Sequence, residues 1–183
     1  MNAINTRVIP VSAYAMNVCM LPRGELQELN MVIKRKLREW KVYGKQASDE
    51  RLYLPRSEGG RGLKSLEDVY ATTKIRIASY LSQSKDQWLK VVWDRDMKKE
   101  YVSLHRTVEQ EFAGVGVRMK FTDREIKLNN EGIVGDWKCM KNRLDKTWKI
   151  KREEERKNYL KAKNQQGQVW SKFEKEDHGC NQI

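Results

Sequence analysis

The run Glu25-Leu26-Gln27-Glu28-Leu29-Asn30-Met31-Val32-Ile33-Lys34-Arg35-Lys36-Leu37-Arg38-Glu39-Trp40 decides the fold class. Leu26, Leu29, Ile33, Leu37 and Trp40 return at steps of three and four, which gathers them on one face of an α-helix. Lys34, Arg35 and Lys41 fall on the other side, where a solvated face is the simplest explanation. Upstream, a loop at Leu21-Pro22-Arg23-Gly24 separates this helix from a second pattern over Ala3 to Met20. There Ile4, Val8, Val11, Tyr14, Ala15 and Val18 predict a buried stripe, and Pro10 should kink the helix or mark its true start. Turn residues Tyr43-Gly44-Lys45 close the pair.

The next segment is Asp49-Glu50-Arg51-Leu52-Tyr53-Leu54-Pro55-Arg56-Ser57-Glu58-Gly59-Gly60-Arg61-Gly62-Leu63. Arg51, Arg56 and Arg61 place three guanidinium groups around a Gly-Gly-Arg-Gly turn. Missing Cβ atoms permit positive φ and would let backbone N–H groups approach an anion, so a polyanion is the natural partner. A reverse turn with solvated arginines is the plainer alternative. Arg51 to Pro55 is the one extended candidate in a chain with almost no strand signal.

Beyond this bend, Ser65 and Asp68 resemble a capping box ahead of a stripe of Leu66, Val69, Tyr70, Ile77, Tyr80 and Leu81, which makes both tyrosines core residues. Trp88 to Trp93 predicts a short docked helix, and Met97, Tyr101, Leu104, Val108 and Phe112 another, ended by Gly114-Val115-Gly116. Thr122 with Glu125 predicts a capped short helix ending near Asn129-Asn130-Glu131-Gly132. From Asp136, a candidate N-cap, a long basic helix carries Trp137, Met140, Leu144 and Trp148 on its apolar side. After Arg152 the stripe thins to Tyr159 and Leu160, so its second half is expected to project into solvent. The organisation is a helical pair over 1–45, an Arg/Gly-rich connector over 46–64, a helical connector domain over 65–135, a basic helix over 136–165 and a disordered tail over 166–183. The fold class is mainly α.

Composition narrows the function. With 37 Lys and Arg against 25 Asp and Glu, a net charge of +12 and a mean hydropathy of -0.83, the chain suits a nucleic acid or an anionic surface better than an apolar ligand. No run reaches the ~18–20 apolar residues of a membrane span, and Arg7 and Arg23 flank the apolar N-terminal stretch, which argues against a secretory signal. Cys19, Cys139 and Cys180 are scattered and form no CxxC, which favours reduced thiols in an intracellular compartment, the nucleus included. His105 and His178 stand alone. Two-metal chemistry needs clustered carboxylates. Asp94 and Asp96 flank Arg95 and fit better as helix caps. No P-loop, GxSxG or Cys–His pairing is present, so neither catalysis nor a metal, cofactor or small-molecule substrate is expected of this chain alone.

Ala3-Ile4-Asn5-Thr6-Arg7-Val8-Ile9-Pro10-Val11, Tyr14, the Glu25 to Asn30 helix, Arg51-Leu52-Tyr53-Leu54-Pro55-Arg56, Gly59-Gly60-Arg61-Gly62-Leu63 and Leu66-Glu67-Asp68-Val69-Tyr70 together resemble the region just after the polymerase palm in reverse transcriptases of non-LTR retrotransposons. The likeness runs from Ala3 to about Leu81 and is looser beyond, where Trp170, Lys172 and Glu176-Asp177-His178-Gly179 resemble a later Trp, Lys and His-Gly segment of the same proteins. It implies that the first two helices belong to the thumb, which closes over a template-primer duplex, and that the basic motif lies in the connector. The family's Asp-Asp metal site belongs to the palm upstream, and its Cys/His knuckle and endonuclease lie downstream. A fragment without polymerase activity is therefore expected, with Met1 an internal methionine or the first codon of a decayed element.

On that resemblance, Arg7, Arg51, Arg56 and Arg61 are the leading candidates to contact phosphates of RNA or an RNA–DNA duplex, with Lys34, Arg35 and Lys64 secondary. Two alternatives stand beside it. One is a protein–protein module using the basic helix with Trp137, Trp148 and Trp170, and the other is a remnant that has lost its function.

Overall fold

The computed structural model describes residues 2–42, 48–122, 125–133 and 136–162. The expected turn at Tyr43-Gly44-Lys45, the tail over 166–183 with Trp170 and Phe173, His178 and Cys180 lie outside the described residues. The architecture is mainly helical: α1 (Ile9–Val18), α2 (Arg23–Glu39), α3 (Glu50–Tyr53), α4 (Leu66–Gln83), α5 (Gln87–Met97), α6 (Leu104–Gly114) and α7 (Trp137–Ala162). Between α6 and α7 lies an antiparallel sheet in the order β1 (Met119–Phe121), β2 (Ile126–Leu128), β3 (Glu131–Ile133).

Helix α4 is the hub, touching α1, α2, α5, α6 and α7. Ala71, Ile75, Ala78 and Ser79 are fully buried, and these mostly short side chains let neighbouring helices approach from several sides. The stripe expected from Leu66, Val69, Tyr70, Ile77, Tyr80 and Leu81 is correspondingly too narrow. Tyr70 is core, but Tyr80 is 45% exposed and makes an edge-to-face contact with Trp137, ring centroids 5.4 Å apart. The larger core joins Ile75 to Val108 and Phe112 of α6, to the inner face of the sheet and to Met140, Leu144 and Trp148 of α7. A smaller one joins Ile9 and Met16 of α1 to Leu26, Leu66 and Tyr70, so the N-terminal helical pair shares its core with α4.

Several local expectations change. A π-helical turn over Ile4–Val8 precedes α1, with Ile9 N–H donating to the Ile4 carbonyl, and Pro10 falls in the first turn of α1, where no intrahelical donor is needed. The buried side of α1 is Ile9 and Met16, whereas Val11, Tyr14 and Val18 face outward. Periodicity there was shared by two faces, and the fold took the other one. The Met97 to Phe112 pattern is broken: α5 ends at Met97, Tyr101 is exposed, and α6 begins at Leu104. Asp96 caps that new start as expected, accepting from Leu104 and His105 N–H at 2.9 and 3.0 Å.

The helix expected after Thr122 is instead a β-meander. Thr122 and Glu125 do bond to each other, but Thr122 N–H donates to the Glu125 carbonyl at 2.9 Å, which closes the β1–β2 turn. Met119, Phe121, Ile126 and Leu128 are buried while Lys120 and Lys127 between them are exposed, a period of two. Asn129 and Asn130 then take φ of 51° and 70°, the left-handed pair that a tight two-residue hairpin requires. At α4, Ser65 makes no cap bond of its own. Buried Asn30 of α2 replaces it, accepting from Leu66 N–H at 3.1 Å and donating to Ser65 Oγ at 3.4 Å.

Candidate nucleic-acid interface

The bend after α3 is built from its own backbone. Glu50–Tyr53 is one helical turn, Leu54 and Pro55 are extended, and Arg56–Glu58 forms a 3-10 turn, so little of the expected extended segment survives. The chain then folds back: Gly60 N–H donates to Pro55 O, Arg61 N–H to Arg51 O, Gly62 N–H to Leu54 O and Leu63 N–H to Leu52 O, all at 2.8 to 2.9 Å. Gly59 N–H reaches Arg56 O at 3.1 Å. The amides of the Gly-Gly-Arg-Gly turn are thus taken internally, and the turn does not offer an anion cradle of N–H groups. Its glycines have a steric cause. Gly59 and Gly62 sit at φ 70° and 66°, and a Cβ on Gly60 would lie 2.0 Å from the Leu54 carbonyl oxygen.

Side chains are another matter. The stretch 49–64 contains three carboxylates, and each is held by a cation from outside it. Asp49 faces Lys34 at 3.4 Å and Arg38 at 2.5 Å, Glu50 faces Arg156 at 3.2 Å, and Glu58 faces Lys157 at 2.7 Å. Among the described residues, Arg51, Arg56 and Arg61 form no ion pair. Arg56 and Arg61 are exposed, as is Lys64, and Arg51 is half-buried.

Asn5, which carried no distinctive signal among apolar neighbours, clamps the N-terminal turn onto this bend. It donates to the Gly62 carbonyl at 2.7 Å and accepts from Lys64 N–H at 3.0 Å. Arg56 reaches Asn2 Oδ1 at 3.1 Å. The turn that bears exposed Arg7 is thereby brought to the side of the bend that carries Arg56 and Lys64. Of the secondary candidates, Arg35 is exposed on α2, while Lys34 is committed to Asp49 and lies 5.5 Å from the Tyr53 ring.

Helix α7 does not project into solvent. Trp148, Arg152, Arg156 and Leu160 stand four apart on one face, and that face is docked along its length. Trp148 is core and donates from its indole to the Glu111 carbonyl at 3.3 Å, so it cannot serve as a docking side chain. Arg152 meets Glu67 and Asp68 at 3.5 and 3.4 Å, Arg156 meets Asp68 at 2.6 Å and covers Tyr53 at 4.9 Å, and Leu160 packs on Leu54. Burial opposes charge on Arg152, yet Asp68, Glu155 and Glu67 outweigh it and hold the guanidinium firmly protonated. Burial beside this cluster also pushes the Tyr53 phenol far above its ordinary range. An apolar stripe continued by paired arginines is invisible to a search for apolar periodicity.

Elsewhere the buried ionisable groups serve the fold. Lys74 donates to the Cys19 carbonyl at 2.8 Å beneath the Tyr70 ring, and burial lowers its pKa. His105 Nδ1 lies 3.1 Å from Asp96, so the buried histidine has a structural use. Among the described residues, no group of three or more His, Cys, Asp or Glu is placed to hold a metal ion, and no helix is long and apolar enough to cross a membrane. Comparisons with protein-family models, curated proteins and solved structures find no match to this chain.

Proposed function

We propose that the chain is a non-catalytic nucleic-acid-binding unit, akin to the thumb and connector of a non-LTR retrotransposon reverse transcriptase, which holds RNA or an RNA–DNA duplex through backbone phosphates. The observation that carries this reading is the charge imbalance at the bend. Every carboxylate between positions 49 and 64 is held by cations of α2 or α7, and among the described residues the arginines of the same stretch form no ion pair. An uncompensated cationic ridge is costly to maintain by self-repulsion, and it is suited to a partner with regularly spaced negative charge. Resemblance over Ala3 to Leu81 supports the same partner from an independent direction. A duplex that must advance during synthesis is best held at phosphate and sugar, which carry no sequence information.

The test is the triple variant R51Q/R56Q/R61Q, assayed for binding to a short RNA–DNA hybrid at low salt beside its helical circular dichroism. Weaker binding with unchanged helicity is expected, together with similar affinity for unrelated sequences. Unaltered affinity would remove the bend from the interface, and absence of binding by the parent chain would end the nucleic-acid reading.

A further inference from the structure

A second cationic surface lies at the opposite end of α7. Helix α6 and the outer face of the sheet enclose an open groove of about 1010 Å³. Arg106, Glu109, Gln110 and Ala113, spaced by three, one and three, form the helical wall, Lys120 and Lys127 rise from the sheet, and Arg118 stands just before β1. Lys120 and Lys127 are register partners on adjacent strands, so two like charges stand directly across from each other on an exposed face. Such a pair destabilises a sheet unless something offsets it.

The available acids offset it poorly. Glu125 pairs with Lys127 at 3.0 Å, but its other oxygen lies over Gly132. Glu109 uses Oε1 to accept from Phe121 N–H at 2.9 Å, which ties β1 to α6. Arg106 is anchored to the Glu100 carbonyl, and among the described residues Arg118 and Lys120 have no ion pair. The lining contains no aromatic side chain, so an unpaired base would find nothing to stack on. It does contain amides at Gln110 and Asn130, which donate well to phosphate oxygens.

We infer that this groove binds the sugar-phosphate backbone of a nucleic-acid duplex, separately from the bend. The two surfaces are spaced by α7, whose Met140 packs with the sheet and whose Leu160 packs with the bend, a separation of roughly 30 Å at the α-helical rise. The inference rests on nucleic acid being the partner, and the experiment separates the two claims. Full-length chain, R118Q/K120Q/K127Q and R56Q/R61Q are titrated at low salt with a short blunt RNA duplex, with oligouridine and with polyglutamate, circular dichroism confirming the fold.

The groove variant should lose about tenfold in duplex affinity, lose less for oligouridine, and combine additively with the bend variant. Duplex affinity unchanged in the groove variant but reduced in the bend variant would overturn the groove while leaving the bend intact. A larger loss for oligouridine than for duplex, or polyglutamate binding as tightly as duplex, would overturn the assigned occupant. No binding by the parent chain would overturn both claims. Should the triple variant unfold, exposed K120Q alone should still lower duplex affinity about threefold, and an unchanged affinity would count against the groove.

Discussion

The C-terminal half of α7 and the bend at 51–64 carry the same kind of residue and treat it in opposite ways. Arg152, Arg156 and Lys157 lie against Glu67, Asp68, Glu50 and Glu58, with Arg156 only 5% exposed, whereas Arg56, Arg61 and Lys64 face solvent. The difference shows that net charge alone says little about which cations are offered to a partner. What decides it is where the carboxylates go. By capturing Glu50 and Glu58, α7 fastens itself to the core and strips the bend of its counter-charges in one arrangement.

The comparison breaks most sharply at Arg156. R156A leaves the carboxylates of Glu50 and Asp68 without their buried partner and should cost about 4 kcal/mol in urea unfolding. A loss below about 1 kcal/mol would show that α7 is not held by these pairs. L160A removes the last apolar contact of the same face, at Leu54, and should cost about 3 kcal/mol. A helix end projecting into water would lose almost nothing. On the bend itself, G60A sets a methyl against the Leu54 carbonyl and should cost about 2 to 3 kcal/mol, which separates the steric need for glycine from any anion-cradling need.

A third region sharpens the contrast with an acid in place of a base. Burial raises the pKa of Asp96, but N–H donors from Leu104 and His105, with the His105 ring, outweigh burial and leave the carboxyl below its ordinary value of 3.8. Its stabilisation is therefore fully present above that value and is lost as pH falls through the lower folded-state value. D96N should cost about 2 kcal/mol at neutral pH and flatten the acid limb of the stability profile over that window. An acid limb identical to that of the parent would contradict the assignment. The smallest effect on stability belongs to the exposed bend: R56Q/R61Q should change the unfolding free energy by less than about 0.5 kcal/mol.

How legible this was from sequence depended on what each residue packs against. The Leu26 to Leu37 spacing predicts the helix α2, but its buried side is Leu26, Asn30 and Leu37 while Leu29 and Trp40 are exposed, because Leu26 packs with α1 and α4 and Leu37 packs with Leu52 and Leu63 of the bend. Helix α4 meets five others, so burial spreads around it and its apolar stripe understates the core. The β-meander was legible in the alternation of Met119, Lys120 and Phe121 with Ile126, Lys127 and Leu128, but Thr122 and Glu125 at capping-box spacing pointed to a helix. Those two residues use the same reach to close a turn. The docking of α7 was hidden because its polar anchors are Arg152, Arg156 and Lys157, whose partners lie 84 to 106 positions earlier, and neither periodicity nor charge counting reports a pairing at that range. For the bend, the sequence marks the arginines and glycines as unusual, and the structure separates their causes. The glycines answer to the Leu54 carbonyl and to positive φ, while among the described residues the arginines form no ion pair and Arg56 donates a hydrogen bond to Asn2 Oδ1.

The most direct test of the central claim is the dependence of duplex binding on salt concentration, measured for the parent chain and for R56Q/R61Q/K64Q. If these cations release counterions from phosphates, the logarithmic slope should be negative and should become shallower by about 0.9 for each contact removed, as on duplex DNA. A slope that is the same in both proteins would contradict the account, since the exposed cations of the bend would then have no phosphate to meet.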